Sequence, residues 1–298
     1  MNALSLLFRD GRLHPFVRVV LYLLAVITIF ETAGLLFFSL ASALGYTFSK
    51  FGLLVSEVFL SALAVVGVSF LFRRYVDRRS LASLGLAPRG AWRRLFALGI
   101  VFGAVMQTFV YVQERLFGHV QVRGYGNPAV DAKLLVAAAV IFLVAALTEE
   151  LSIRGYILQN LWEEWGFAPA ALISSILFAL LHFHNPHSQE QIWLASAGLV
   201  FFALWASLSV LWTKSLWLAL GCHASWNFFE GPIYGFPVSG LQMPLPTVIQ
   251  VTSGTPDWFT GGNFGPEAGM SSIIAMLAAT VALWALHRRG IFAQAASG

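Results

Sequence analysis

Thr148-Glu149-Glu150-Leu151-Ser152-Ile153-Arg154-Gly155-Tyr156 ends a long apolar run that starts near Leu134. Two adjacent carboxylates and an arginine therefore stand where the chain otherwise reads as a membrane-spanning helix. At that depth an ionisable side chain costs about 2.5–3.5 kcal/mol on insertion scales, and such residues mark functional sites or buried partnerships. Helical residues advance by about 100° each, so Glu150 and Arg154, at i and i+4, share a face and are placed to pair. Glu149 is turned away by one step and is left without a cation of its own. In a low-dielectric setting a carboxylate without a cation holds a proton more readily, the property that a general base for water activation needs. A second reading stays open at this point, in which the ion pair fixes helix packing and Glu149 faces a wet crevice.

The composition surrounding this stretch is that of a polytopic membrane protein. Of 298 residues, 58% are apolar and 11% charged, with a mean hydropathy of +0.75; an ordinary soluble domain is about 25% charged. No polar stretch is long enough to fold alone, so one membrane domain over residues 1–298 is expected. The net charge of +4 comes from arginines beside apolar runs, a topology signal rather than the continuous basic stripe of a nucleic-acid surface. A single cysteine, Cys222, excludes an internal disulfide framework and a cysteine-rich metal site. The first apolar run is long and lacks a prompt small-residue cleavage site, so a cleavable signal peptide is not expected.

Eight stretches meet the roughly 20-residue requirement of a bilayer crossing, near residues 16–44, 51–72, 95–117, 132–160, 168–184, 191–212, 215–232 and 270–287. The fifth and seventh are short. With the N-terminus in the cytoplasm, Arg9, Arg12, Arg18, Arg73, Arg74, Arg78, Arg79, Arg89, Arg93, Arg94, Lys214, Arg288 and Arg289 lie inside, against Lys50, Arg115, Arg123 and Lys133 outside. That thirteen-to-four bias, with an even number of spans, predicts cytoplasmic N- and C-termini. Residues 73–94 read as a basic surface loop suited to anionic lipid. Residues 233–269 read as an external loop rich in Gly, Pro and Thr.

Two further polar pairs repeat the helical spacing. The fifth span carries Phe178 and His182, and the seventh carries His223 and Asn227, each pair at i,i+4. Polar groups inside membrane helices face a bundle interior or an aqueous cavity. Taken singly, each histidine suits a packing role; three clusters on three spans supply a base, a second proton-handling group, and an imidazole and amide able to donate to an oxyanion.

Glu149-Glu150-x-x-x-Arg154-Gly155, Phe178-x-x-x-His182 and His223-x-x-x-Asn227 together resemble, in order and spacing, the three motifs of the CAAX protease and bacteriocin-processing (Abi) family of intramembrane proteases. The similar core covers about residues 135–232. The resemblance implies an all-α bundle of about eight transmembrane helices with an intramembrane cavity, and a glutamate-activated water that hydrolyses a peptide bond. Carried over by position, it implies Glu149 as base, His182 as an aid in activating the water, His223 and Asn227 as the oxyanion site, and Glu150, Arg154 and Phe178 in support. It also implies a hydrophobic or prenylated peptide substrate. Ser152-Ile153 stand where family members often carry a bulky aromatic before the motif arginine, so substrate preference is expected to differ.

Neighbouring chemistries fit less well. His-Glu-x-x-His is absent; Asp10, Asp77, Asp131 and Asp257 all lie outside the spans; no Gly-x-Ser-Gly occurs. Cys222 points about 100° away from His223 and reads as a packing residue. Glu149, His182 and His223 compose a two-His, one-carboxylate set of the kind that holds catalytic zinc, but the nearby Arg154 charge favours a metal-independent reading with no cofactor. His184 and His187 flank Pro186 and are expected in a loop. Glu31, Glu57 and Glu230 are read as structural or solvated. Two other functions remain open: a non-proteolytic membrane scaffold on the same fold, and a proton-coupled transporter, against which stands the lack of two-fold hydropathy symmetry.

Overall fold

The computed structural model describes residues 8–9, 12–88, 90–126, 128–244 and 247–292. Asp10, Arg89 and the side chains of Arg9 and Asp131 lie outside the described residues. The fold is all-α. The helices are α1 Pro15–Ala43, α2 Lys50–Leu71, α3 Trp92–Leu116, α4 Pro128–Glu150, α5 Phe167–Leu181, α6 Ile192–Thr213, α7 Trp217–Phe228 and α8 Met270–Arg288. Three helices continue beyond their regular part. A π-helical segment Phe72–Val76 extends α2, another at Phe229–Ile233 extends α7, and α4 runs on through a π-helical segment Leu151–Ile157 into Leu158–Trp165. Six of these continuous helices are long and apolar enough to cross a bilayer; α5 is too short for that criterion at 15 residues, and α7 spans 12 before its π-helical extension. The bundle is that of an integral membrane protein, and its outward faces carry exposed apolar side chains such as Leu24, Leu35, Leu63, Val105, Val136 and Val281.

Local chemistry sets the helix ends. Pro15 opens α1 with its φ already helical, and the Ser49 hydroxyl accepts the Gly52 amide at 3.1 Å to cap α2. One residue, Gly166 at φ 78°, separates the end of the α4 continuation from the start of α5. With ψ at 172° this is a positive-φ extended conformation that is essentially open only to glycine.

The helix carrying His223 and Asn227 is seated by close backbone contact. A methyl group added at Gly99 would meet the Leu218 carbonyl, one at Gly103 the Cys222 carbonyl, and one at Gly221 the Phe96 carbonyl. Gly99-x-x-x-Gly103 thus brings α3 against α7 at backbone distance, the small-residue contact by which membrane helices gain dispersion energy.

A second fixed point lies where α2 ends. Asp77 has no exposed surface, although the sequence reads as a basic surface loop from residue 73 onward. Its carboxylate accepts from Arg18 of α1 at 3.1 Å, Arg73 at 3.0 Å, the Tyr156 hydroxyl at 3.2 Å and Asn160 at 3.4 Å. Arg73 is itself buried, so the loop's first cation faces inward rather than toward lipid headgroups. One carboxylate therefore ties α1, the end of α2 and the α4 continuation together. Above it Tyr22 stacks on Tyr156 with ring centroids 4.1 Å apart and shares a 2.8 Å hydrogen bond with Ser69.

Two polar segments between helices form a small sheet. Val120–Tyr125 pairs antiparallel with Ile249–Ser253, fastening the α3–α4 connection to the long loop between α7 and α8.

Replacing Asp77 with alanine removes the Arg18–Asp77 pair and leaves Arg73 only the more distant Glu163, 4.0 Å away, and removing one partner of a buried pair costs about 3–5 kcal/mol. Thermal unfolding of Asp77→Ala in detergent is expected to show a drop of several degrees or more. A melting temperature equal to that of the wild type would refute the hub.

Candidate active site

The π-helical segment of α4 begins right after Glu150 and contains Arg154. Such segments often occur at functional sites. Arg154 Nη1 donates to Glu150 Oε1 at 3.0 Å, and both side chains are buried. The Arg154 guanidinium also lies over the Phe178 ring, 4.7 Å from its centroid, so the π face of Phe178 stabilises the buried cation. The close approach of this segment to its neighbours continues at Gly155, where an added methyl would press within 3.2 Å of the Leu84 carbonyl and of Leu216.

His223 joins the same group from α7. Its Nδ1 lies 2.8 Å from Glu150 Oε1, and its Nε2 lies 3.7 Å from Glu149 Oε2. A carboxylate oxygen facing the ring in this way accepts, so Nδ1 carries the hydrogen and Nε2 is the nitrogen turned toward Glu149. Glu150 is thus held from two sides, by its own helix and by one 73 residues on. Glu149 is less isolated than helical geometry alone implies, because the imidazole stands beside it. Its side chain keeps about 36% of its surface exposed, against 1% for Glu150.

His182 is fixed differently. It caps the end of α5, and its Nδ1 lies 2.8 Å from the Phe178 carbonyl oxygen. That carbonyl can only accept, so the neutral ring presents Nε2 as an acceptor. Phe178 stands between the two imidazoles, with ring centroids 4.7 Å from His182 and 6.1 Å from His223. Phe202 of α6 closes the other side of His223 at 5.0 Å, a contact that no motif in the sequence announces.

Glu149, Phe178, His182 and Asn227 line one chamber of about 380 Å³; His223 is not among its lining residues and meets it through Glu149, 3.7 Å from its Nε2. Asn227 is nearly buried, and its Oδ1 has no hydrogen-bond partner. The chamber is walled on one side by apolar residues of α1 and α2, among them Leu23, Val26, Ile27, Leu54 and Val58. The lining also includes Asn185, Val238, Ser239, Leu241 and Met243, most of them from the loop after α7. Sequence reasoning assigned that loop no part in the site, because it has neither periodicity nor a motif.

Behind Ser239 lies a carboxyl that the motifs also miss. The Ser239 hydroxyl donates to Glu267 Oε2 at 2.5 Å. Burial raises the Glu267 carboxyl above its ordinary range, with the Ser239 hydrogen bond opposing.

The remaining acidic and histidine residues sit apart from this chamber. Glu230 is fully buried and is not among the chamber's lining residues. Glu31 and Glu57 line a separate groove of about 830 Å³ between α1 and α2. His184 and His187 fall in the turns after α5, where His187 Nδ1 lies 2.6 Å from Glu190, and that contact, with Asn263 next, holds the exposed Glu190 carboxyl below its ordinary range. Cys222 is buried. Among the described residues no group of three His, Cys, Asp or Glu side chains, Glu149, His182 and His223 included, is disposed to hold a metal ion.

The chain is similar over 239 residues to the uncharacterized protein YyaK of Bacillus subtilis (strain 168), at 29% identity, covering 74% of this chain and 71% of the relative. Residues 131–229 match the family model described as type II CAAX prenyl endopeptidase Rce1-like. The matched residues include Glu149, Glu150, Arg154, Phe178, His182, His223 and Asn227.

Proposed function

We propose that the protein is an intramembrane endopeptidase in which Glu149 activates a water for attack on a peptide bond. The observation that carries this reading is the shared chamber: a partly exposed carboxylate, an acceptor imidazole and a carboxamide open onto one space, with a second imidazole 3.7 Å from the carboxylate. Glu149 takes a proton from water while the resulting hydroxide forms the bond to the scissile carbonyl carbon. His182 Nε2, an acceptor in the neutral ring, orients that water. The Asn227 amide donates to the oxyanion, joined by His223 Nε2 when the imidazole is protonated. The C–N bond then breaks, and the proton held by Glu149 passes to the departing amine. Glu150 and Arg154 touch neither water nor substrate; they neutralise each other and fix the ring of His223.

The substrate class follows from the walls. A chamber bounded by apolar residues of α1 and α2 inside a membrane bundle suits a hydrophobic, membrane-borne peptide, and the Rce1-like match extends this to a prenylated one. The distribution of arginines and lysines supports cytoplasmic termini. No step in this scheme uses a metal ion.

Three outcomes test the scheme. Glu149→Gln keeps the side chain's shape and removes the base, so cleavage of a fluorogenic prenylated peptide in proteoliposomes is expected to fall by at least about 100-fold with the melting temperature unchanged; unaltered turnover would reject Glu149 as base. Arg154→Ala is expected to lower both turnover and thermal stability, since it leaves the buried Glu150 only His223 as a partner, and breaking a buried pair costs about 3–5 kcal/mol. An Arg154→Ala protein that melts like the wild type would argue against the pair. Finally, exhaustive chelation verified by metal analysis is expected to leave turnover intact, and loss of activity restored by added zinc would contradict the metal-free scheme.

A further inference from the structure

His182 stands just past the end of α5, with φ −90° and ψ −1°, and the residues after it through Gln191 form turns rather than a helix. Its ring is tied to the Phe178 carbonyl at 2.8 Å and its amide to the Ala179 carbonyl at 3.1 Å, while the turn that follows it is held from outside the helix.

A chain of hydrogen bonds holds that turn. The Asn185 amide donates to the His182 carbonyl at 3.0 Å, closing the turn that His182 opens. The Asn185 side chain donates through Nδ2 to the Ser239 carbonyl at 2.9 Å. Ser239 in turn donates its hydroxyl to Glu267. Ser239 has φ 47° and Gly240 φ 82°, two consecutive left-handed residues closing the antiparallel bridge between Val238 and Leu241 in the manner of a tight hairpin turn. A serine holds that conformation only where its surroundings over-determine it. Here they do: the Gly240 amide donates to the Phe264 carbonyl at 2.7 Å, and the Glu267 carbonyl lies where any methyl group on Gly198 of α6 would stand. Glu267 is thus anchored to the bundle, nearly buried, on the short turn Pro266–Ala268.

We propose that Glu267, acting through Ser239 and Asn185, is the positioning residue for His182. The bundle holds Glu267, Glu267 holds the Ser239 turn, and that turn holds Asn185 and with it the backbone of His182. Asn185 and Ser239 line the chamber while Glu267 stands behind them, so the loop after α7 is part of the site and its anchor lies outside the matched residues 131–229. The inference rests on the assignment of His182 to the water-orienting role, and the two can fail separately.

The test compares Glu267→Ala, Glu267→Gln, Asn185→Ala and the Glu267→Ala/Asn185→Ala double variant as full chains in lipid nanodiscs. One readout is the imidazole ¹⁵N–¹H signal of His182, identified by its loss in His182→Gln. The wild type and Glu267→Gln, whose amide oxygen still accepts from Ser239, are expected to give one narrow signal, and Glu267→Ala and Asn185→Ala a broadened or displaced one. The second readout is kinetic: kcat is expected to fall about 10–100-fold in each alanine variant, with KM within about two-fold and the double variant no worse than the poorer single one. Glu267→Gln should restore most of the kcat, which loss of packing alone would not predict. If Glu267→Ala does not fold, Ser239→Ala cuts the same link by one hydroxyl and is read the same way. An unaltered His182 signal in the alanine variants, or additive losses in the double variant, would overturn the tether. A wild type that cleaves no prenylated peptide would count against the protease reading, while the imidazole signal would still decide the tether.

Discussion

Burying Glu150 completely inside a membrane bundle is tolerable because Arg154 and His223 both touch it, at 3.0 and 2.8 Å. That three-membered contact organises the site. A lone buried carboxylate in such surroundings carries a penalty of several kcal/mol, and each of its partners comes from a place that the fold must supply. Arg154 comes from one turn along the π-helical segment, steadied by the Phe178 face. His223 comes from α7, which reaches its depth because Gly99 and Gly103 let the backbones of α3 and α7 meet. With Glu150 satisfied, its neighbour Glu149 keeps an open carboxylate toward the chamber. Two adjacent glutamates thereby acquire different environments from a difference of one helical step.

The same contact separates the roles of the two histidines. Both spend Nδ1 on a fixed acceptor, His223 on a carboxylate and His182 on a backbone carbonyl. Each therefore offers only Nε2 to the reaction. Next to Glu149, the His223 nitrogen is placed to donate when its ring is protonated; at the end of α5, the His182 nitrogen is placed to accept from water. A sequence that shows only two histidines cannot express this difference, because it depends on what lies behind each ring.

Much of the architecture was legible in advance because membranes impose it. Helices of about twenty apolar residues with basic flanks leave a strong periodic trace, and the i,i+4 pairs Glu150/Arg154, Phe178/His182 and His223/Asn227 follow from helical geometry alone. Legibility failed where the determinants are non-local or aperiodic. The contact between His223 and Glu150 spans 73 positions. Asp77 looks like one more polar residue in a basic loop, yet four side chains from three parts of the chain converge on it. The turn at Ser239 and the anchor at Glu267 sit in a Gly- and Pro-rich stretch that carries no pattern, and the Gly99-x-x-x-Gly103 spacing that seats α7 went unread. Glu230, read as structural or solvated, is fully buried in the π-helical segment beyond Asn227.

The most direct measurement is an experimental structure with a phosphinic peptide, a tetrahedral mimic of the hydrated peptide bond, bound in the chamber. The account predicts one phosphinyl oxygen within hydrogen-bond distance of Glu149 and the other facing Asn227 and His223 Nε2, with the peptide's apolar portion against α1 and α2. A mimic seated away from Glu149, or a Glu149 side chain turned out of the chamber toward lipid, would contradict it.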